Sequence, residues 1–334
     1  MKFSPSCVYD TYWLFASRRQ ALYQRRLTDA DGPWTDDPIL QRYRFTNVFR
    51  AADRVSQYLI ANVQYRDDRP RAAAELFFRT LLFKLFNKIE TWELLENRLG
   101  TLSWQSFDVQ AADEVLSQAM GSGAKIYSAA YIMPAPRLGF ERKHSNHLAL
   151  LLRMMEDGLP GRIAAAPSLE AVYDLLLEYG GLGPFLAYQY AIDLNYSGLI
   201  DFDENDFVVA GPGALDGIAK CFEDGADLEP RSVIEHMVEA QDREFAARSL
   251  EFGGLFGRRM TLIDAQNVFC EISKYSRVAH PEVAGVSNRT RIKQSFQPAS
   301  RTQPRPFFPP KWNLAVPPME PLRPRAGLQG LLFA

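Results

Sequence analysis

The sequence is poor in the residues that build disulfide frameworks and metal sites. Its 334 residues include three cysteines and four histidines. Cys7, Cys221 and Cys270 are odd in number and far apart, which excludes a disulfide framework and fits a reducing compartment. There is no Cys-x-x-Cys pair, and His144 and His147 have no further ligands near them in sequence. We therefore expect no metal site, and no cofactor motif is evident.

A strong net charge and long apolar runs are also missing. The formal net charge is −2, so any surface that binds nucleic acid must be a local basic face. No run of about 18 uninterrupted apolar residues occurs, and the first residues carry no apolar signal region. These absences predict no membrane partner and a cytoplasmic protein (nuclear in a eukaryote).

What is abundant is a mixture of aromatic and arginine residues between positions 13 and 58. Aromatic rings can hold bases and arginines can hold phosphates, so this mixture favours a nucleic-acid surface. An amphipathic helix pair with a basic outer face is the alternative. The arginines expected to bind phosphate are Arg18, Arg25, Arg26, Arg50 and Arg54. The side chains expected to make specific polar contacts are Gln20, Asn47 and Asp53.

Apolar residues recur with helical spacing along most of the chain, and convincing strand alternation is nearly absent. The pattern predicts a mainly α fold. Asp37 and Pro38 have the order of an N-cap and a first helical residue, and residues 126–132 are compatible with a short strand or a helix. The predicted helices cover residues 8–28, 45–63, 71–89, 92–99, 111–122, 143–155, 168–179, 184–194, 230–249 and 262–278.

The composition changes after about residue 285. Residues 286–334 contain nine prolines, and eight lysines and arginines stand against one glutamate. Such a segment buries too little apolar surface to fold alone. We therefore divide the chain into a helical domain, 1–285, and a Pro-rich, basic, disordered tail, 286–334. A basic arm that helps to hold DNA is the alternative reading of the tail.

Two glycine-rich turns are candidates for phosphate binding by backbone N–H groups. Gly181 and Gly183 flank Leu182 between two predicted helices, as in the hairpin of a helix-hairpin-helix motif, although a structural turn has the same pattern. Gly211 and Gly213 precede another helix. Neither turn is a P-loop, because Gly-x-x-x-x-Gly-Lys-Ser/Thr occurs nowhere in the sequence.

Polar residues are concentrated on the last predicted helix. Their spacing places several of them on one side, where they could line a pocket for a flipped base or form a solvated face. Cys270 reads as a buried thiol and not as a nucleophile. The residues expected in a base pocket are Trp34, Asn47, Gln266, Asn267, Glu271, Lys274 and Tyr275.

Several of these motifs, in their order, resemble the helical domain of the 5-hydroxymethyluracil DNA kinase family. That family is related to the α-glutamyl/putrescinyl-thymine pyrophosphorylase clades of phage base-hypermodification systems. The resemblance covers about residues 8–280. Its motifs are Trp13 with residues 18–26, residues 33–40, residues 45–54, residues 211–214 and residues 264–275.

The resemblance implies a fold related to helix-hairpin-helix DNA glycosylases. Those enzymes place a catalytic Asp about 20 residues beyond the hairpin, where Asp201, Asp203, Glu204 and Asp206 lie here. Asp206 is chosen because it leads directly into the 207–213 motif, with Asp53 as a second acid/base group. An acidic surface loop is the alternative interpretation.

The resemblance therefore implies a DNA-binding protein that recognises a flipped 5-hydroxymethyluracil-type base and supports group transfer on it. If it is an enzyme, it is a transferase or pyrophosphorylase and not a kinase by itself, since it has no P-loop. DNA and a P-loop kinase on a separate chain are the expected partners. The alternatives are a monofunctional base glycosylase and a non-catalytic DNA-binding module.

Overall fold

The protein is built from α-helices. The computed structural model describes residues 3–29, 31–130, 132–296 and 305–318, and within them it contains thirteen α-helices and no β-strand. The prediction of a mainly α fold is confirmed. The helices are α1 (Cys7–Thr28), α2 (Pro38–Arg42), α3 (Arg54–Tyr58), α4 (Ala73–Phe86), α5 (Ile89–Leu99), α6 (Val109–Gly121), α7 (Lys143–Glu156), α8 (Leu159–Ala164), α9 (Leu169–Leu177), α10 (Pro184–Tyr196), α11 (Pro212–Cys221), α12 (Pro230–Ala247) and α13 (Leu262–Ala279).

The chain forms two compact units. Unit 1 comprises residues 1–53, 208–306 and 310–334, and unit 2 comprises residues 54–207 and 307–309. Among the described residues, unit 1 therefore contains α1, α2 and α11 to α13, and unit 2 contains α3 to α10. Unit 1 is discontinuous in sequence, because nearly all of unit 2 is inserted between its two main segments.

Helix α1 provides much of the core of unit 1. Ser6 caps it by accepting a hydrogen bond from the backbone N–H of Val8 at 3.1 Å. Tyr12 and Trp13 are completely buried, and Phe15 is nearly so. These aromatic rings pack inside the protein and offer no face to a base, as helical periodicity predicts for Tyr12 and Trp13 and as the amphipathic-helix alternative requires. Aromatic residues dominate cores because each buries a large area.

Helix α11 packs very closely against α13, and glycine makes this possible. A Cβ added to Gly217 would lie 2.1 Å from the carbonyl oxygen of Phe269, which no side chain can tolerate. A Cβ on Gly213 would lie 3.1 Å from Sγ of Cys270. The two helices can therefore approach each other only because α11 has no side chain at these positions.

Unit 2 is organised around the buried helix α4, which packs against α5, α7, α8 and α10. Lys84 on α4 forms a buried ion pair with Asp193 on α10, with 3.0 Å between Nζ and Oδ2. Nearby, the Nε2 amide of Gln64 donates to the backbone carbonyl of Asp193 at 2.8 Å. A buried pair of this kind contributes specificity more than net stability, but removing one partner is costly.

Two secondary-structure predictions differ from the structure. The helix predicted over 45–63 begins later: residues 50–52 form a 3₁₀ turn, α3 follows, and Leu59–Gln64 continues as a π-helical segment. Residues 44–49 are irregular because their backbone groups bind side chains of α13. The described residues of 126–132 are neither strand nor helix, since the Ile126 carbonyl accepts from Thr91 Oγ1 and the Ser128 N–H donates to the Phe86 carbonyl.

The described parts of the basic tail, 286–296 and 305–318, contact the rest of the protein. Within unit 1 the backbone N–H of Phe296 donates to the Arg42 carbonyl at 3.0 Å, and Arg258 lies 4.1 Å from the ring centre of Trp312. Phe308, assigned to unit 2, is buried. The described residues of the tail thus make specific contacts, and the division into a helical domain and a disordered tail stays a prediction. The remaining tail positions, 297–304 and 319–334, lie outside the described residues.

None of the helices in the described part of the chain is long and apolar enough to span a bilayer.

We predict that Gly217→Ala destabilises unit 1 by about 1–3 kcal/mol or more, because the new methyl group forces α11 away from α13. Thermal unfolding followed by circular dichroism measures the effect. Gly161→Ala in α8 is the matched control, since a Cβ there meets nothing within 4 Å, and it should be neutral or slightly stabilising. Equal melting temperatures for the two variants would contradict this account.

Candidate functional site

A row of polar side chains along α13 holds the segment of residues 44–53 in place. Oδ1 of Asp264 accepts the backbone N–H of Arg50 at 3.1 Å. One turn later, Nδ2 of Asn267 donates to the Asn47 carbonyl at 2.7 Å. A further turn along, Oε2 of Glu271 accepts another backbone N–H of the segment at 3.1 Å. The three side chains project from one side of the helix, as their spacing predicts.

These contacts change the interpretation of the predicted base pocket. Asn267 and Glu271 use their hydrogen-bonding groups on the backbone of the 44–53 segment, and Glu271 also pairs with Lys274 at 2.6 Å. Gln266 is buried elsewhere and donates to Sγ of Cys270 at 3.2 Å. Several polar groups on this side of α13 therefore have partners within the protein, and a base pocket there stays a prediction.

Tyr275 belongs to a second polar group in unit 1. Its hydroxyl donates to Oδ2 of the buried Asp37 at 2.7 Å, and Nη1 of Arg18 lies 3.0 Å from the same oxygen. Oδ1 of Asp37 caps α2 by accepting the N–H groups of Ile39 and Leu40, so the predicted helix entry is confirmed. Burial, and then the hydrogen bond to Asp37, raise the pKa of Tyr275.

The 44–53 segment ends at Asp53, which lies among the polar side chains that we call the Asp53 cluster: Arg19, Tyr23, Asn47 and Asp53. Oδ1 of Asp53 accepts the backbone N–H of Asn47 at 2.8 Å, and Nδ2 of Asn47 donates to the Ala52 carbonyl at 2.7 Å. Asp53 remains partly accessible, whereas Arg19 and Tyr23 are each 6% exposed.

Two hydrogen-bond donors of the Asp53 cluster have no partner among the described residues. They are Nη1 of Arg19 and the hydroxyl of Tyr23, both fully covered. Buried donors are nearly always satisfied, so each unsatisfied one calls for an explanation such as a ligand. Both groups interact electrostatically with the Asp53 carboxylate. The cluster therefore combines two unused donors with one carboxylate.

Burial perturbs the ionisation of every titratable member of the Asp53 cluster. Burial raises the pKa of Asp53 to about 6, although the hydrogen bond from Asn47 and the charge of Arg19 oppose the increase. Burial also lowers the pKa of Arg19 to about 10 and raises that of Tyr23. A carboxyl group that titrates near neutral pH is suited to accept and return a proton.

The other predicted phosphate-binding arginines lie in different environments. Arg50 is buried, at 4% exposure. Arg25 is exposed and donates to the Trp34 carbonyl at 3.2 Å. The guanidinium of Arg26 lies 5.1 Å from the ring centre of Trp34. Arg26 therefore covers one face of this half-buried ring, on which a base could otherwise stack. Arg54, in unit 2, is exposed and lies 3.4 Å from Glu90.

The predicted glycine turns both form helix N-termini. Gly183 and Gly211 are the N-caps of α10 and α11. Gly181 has a φ of +97°, and a Cβ there would meet Pro136 at 3.2 Å, so this turn requires glycine. Leu182, between Gly181 and Gly183 in sequence, is buried, as expected for a hairpin plug.

Asp206, the other predicted catalytic group, lies on an exposed loop of unit 2. Its backbone N–H donates to the Asp203 carbonyl at 3.2 Å. Asp53, by contrast, belongs to unit 1.

The sequence alone did not single out Arg19 as a site residue. A signal was available, however. Arg19 and Tyr23 are four residues apart on the stripe of α1 that also contains the buried Tyr12 and Ala16. An arginine on the inward face of a helix is unusual, because a buried charge must find a partner or a ligand.

We predict that Asp53→Asn makes the stability of the folded protein less dependent on pH between about 4 and 7. The pKa of Asp53 is higher in the folded chain, about 6, than its ordinary value of 3.8. The folded state therefore holds a proton that the unfolded state has lost, and stability decreases as pH rises through this window, by at most about 3 kcal/mol. Asparagine does not ionise and can still accept the Asn47 N–H, so this contribution disappears.

Melting temperatures measured across this pH range test the effect. Asp36→Asn serves as the control because Asp36 is exposed. The control should retain the wild-type slope. Parallel curves for the wild type and both variants would show that Asp53 is not perturbed.

Comparison with known proteins places this site in a family. The family described as "5-hmdU DNA kinase, helical domain" matches residues 6–285. A curated relative, the 5-hmdU DNA kinase of Bacillus phage SP10, is 25% identical over 288 residues, which is 80% of this chain and 45% of the relative. The chain thus spans less than half the length of that relative.

No solved structure matches the chain, so the likeness to helix-hairpin-helix glycosylases stays a prediction. The family match includes every residue of the Asp53 cluster and of the α13 row. It confirms the resemblance carried by the sequence motifs. The chain belongs to the 5-hmdU DNA kinase helical-domain family.

Proposed function

We propose that this protein binds DNA in a pathway of thymine base hypermodification, recognises a flipped 5-hydroxymethyluracil-type base and supports group transfer on it. The observation that carries the proposal is the Asp53 cluster, in which a carboxylate of raised pKa lies with two unsatisfied buried donors. Membership of the helical-domain family supports the choice of a DNA base as the ligand.

The cluster matches the chemistry of such a ligand. A hydroxymethyl oxygen, a uracil carbonyl and a phosphate oxygen all accept hydrogen bonds, which Nη1 of Arg19 and the Tyr23 hydroxyl can donate. Asp53 can accept a proton from a hydroxyl group near neutral pH. The side chain of Asn47 is held by the Ala52 carbonyl, so its proposed role is to position Asp53.

The proposed phosphate contacts come from arginines on α1. Arg18 and Arg25 retain exposed surface, and Arg26 is half-buried. The hairpin glycines Gly181 and Gly183 and the N-terminus of α11 at Gly211 are further proposed backbone contacts to phosphate. Asp206 is proposed as a second acid/base or orienting group and is tested by itself.

The proposed reaction is a transfer or pyrophosphorylase step and not phosphorylation by this chain. The 334 residues contain no P-loop sequence. A P-loop kinase is therefore the proposed source of the activated base, and the transferred group would then replace the activating group on the 5-methyl carbon.

The test is mass spectrometry of nucleosides from duplex DNA incubated with the purified protein. The duplexes carry thymine, 5-hydroxymethyluracil or its pyrophosphorylated form, with and without ATP and an amine pool. A new adduct or a lost pyrophosphate on the modified duplex supports the proposal. A released free base indicates a glycosylase, and unchanged DNA bound in a salt-dependent way indicates a recognition module.

We predict that Tyr23→Phe weakens binding of the modified duplex without lowering the melting temperature, because its hydroxyl has no partner among the described residues. Tyr12→Phe, on the same helix, is the matched control: its hydroxyl donates to the Ala265 carbonyl at 3.3 Å. The control should lose some stability and retain binding. The same behaviour in both variants would remove the Asp53 cluster from the binding site.

Asp53→Asn is expected to lower product formation about 100-fold or more if Asp53 acts as the base. Asp206→Asn tests the second carboxylate separately, and Asp224→Asn, in an exposed turn, is the control. A change of stability alone in both variants, with product formation unchanged, would support a non-catalytic module.

A further inference from the structure

Three chemically different metal-binding side chains meet in unit 1: Cys7 from the start of the chain, and His280 and Glu282 from the segment after α13. Sγ of Cys7 lies 3.7 Å from Nδ1 of His280, and the same nitrogen lies 3.5 Å from Oε1 of Glu282. All three donor atoms are within 4.8 Å of one another. Cys7 is in the first turn of α1, whereas the other two residues follow α13.

These separations fit the edges of a tetrahedral zinc site. With zinc about 2.3 Å from sulfur, about 2.0 Å from nitrogen and about 2.1 Å from oxygen, a tetrahedral angle places sulfur and nitrogen about 3.5 Å apart, and nitrogen and oxygen about 3.4 Å apart. The observed values of 3.7 and 3.5 Å are within about 0.2 Å of these edges. The sulfur and the carboxylate oxygen lie within 4.8 Å of each other, and the corresponding edge of a tetrahedral site is about 3.6 Å, so a rotation of the exposed Glu282 side chain closes this third edge. One ion can therefore contact Cys7 and His280 together with Glu282 after only small side-chain rotations.

A second contact orients the imidazole for this role. Nε2 of His280 lies 2.7 Å from Oγ1 of Thr11, one helical turn after Cys7. If Nε2 carries the proton and donates it to the threonine, Nδ1 keeps its lone pair, and Nδ1 is the nitrogen that faces the sulfur and the carboxylate. Histidine ligands of metals are usually fixed by such a hydrogen bond from their other nitrogen.

We propose that Cys7, His280 and Glu282 form a binding site for a divalent transition-metal ion of the zinc type, with water in the fourth position. A thiolate and an imidazole select zinc-like ions over Mg²⁺ and Ca²⁺, which prefer oxygen ligands. The bound ion links the start of α1 to the segment after α13, since Cys7 and His280 are 273 residues apart in sequence. Because it binds only the folded form, it stabilises unit 1.

The test uses the full, reduced chain freed of any metal-binding affinity tag and titrated with Co²⁺ alone. We expect one equivalent of Co²⁺ to produce a thiolate-to-cobalt charge-transfer band, which Zn²⁺ abolishes by displacement and Mg²⁺ does not. Zn²⁺ should also raise the melting temperature. The absence of a stoichiometric band, or equal displacement by Mg²⁺, would overturn the proposal. Neither result depends on DNA binding or on the Asp53 cluster.

Variants separate this site from other thiols and imidazoles. Cys7→Ser should abolish the band, and His280→Gln should weaken Zn²⁺ binding at least tenfold. The matched controls are Cys270→Ser and His236→Gln, which should both retain wild-type binding. A band that persists in Cys7→Ser and disappears in Cys270→Ser would refute the assignment.

Thr11→Val tests the orienting contact. It should keep the stoichiometry of one ion while weakening Zn²⁺ binding by about 10-fold to 100-fold. Unchanged affinity would refute the role of Thr11. Circular dichroism of each variant checks that the helices are retained.

Discussion

The candidate site depends on one constraint, the binding of an irregular backbone segment by side chains of a single helix. Residues 44–49 form no regular structure, so their backbone groups need partners elsewhere. Asn267 and Glu271 supply two of them from successive turns of α13, and Asp264, one turn earlier, binds the backbone N–H of Arg50 just beyond this stretch. Because α13 also packs on α1 and α11, the segment is fixed relative to Arg19 and Tyr23. The position of Asp53 thus follows from hydrogen bonds made several residues before it.

Much of the fold follows from local sequence signals. Helical periodicity gave the long helices to within a few residues, as for α7 and α13, and Asp37 and Pro38 marked the start of α2. These features depend on neighbours in the chain, where capping and hydrophobic spacing operate. The short α8 was missed because six residues carry too little periodicity to be recognised.

The site was harder to predict because its chemistry depends on contacts between distant residues. Composition alone cannot distinguish an aromatic ring in a core from one that stacks on a base, whereas helical periodicity correctly placed Tyr12 and Trp13 on the inward face of α1. The spacing on α13 correctly grouped Asn267 with Glu271, yet it could not reveal that their partner is a backbone segment more than 200 residues away. Asp53 and Asn47 were singled out as polar residues within the run of aromatic and arginine residues, and only the structure adds the unsatisfied donors of Arg19 and Tyr23.

The insertion of unit 2 into unit 1 determines the order in which the two cores can form on the ribosome. Helix α1 is synthesised early, but α11 and α13, against which it packs, follow only after residue 211. At about 5–20 residues per second, Tyr12, Trp13 and Phe15 therefore wait roughly 10 seconds or more for their partners. Unit 2 meets no such delay, because residues 54–207 emerge consecutively. The nascent chain thus carries an unburied aromatic helix while all but residues 307–309 of unit 2 have already been made, and this helix is the segment that a chaperone would have to protect.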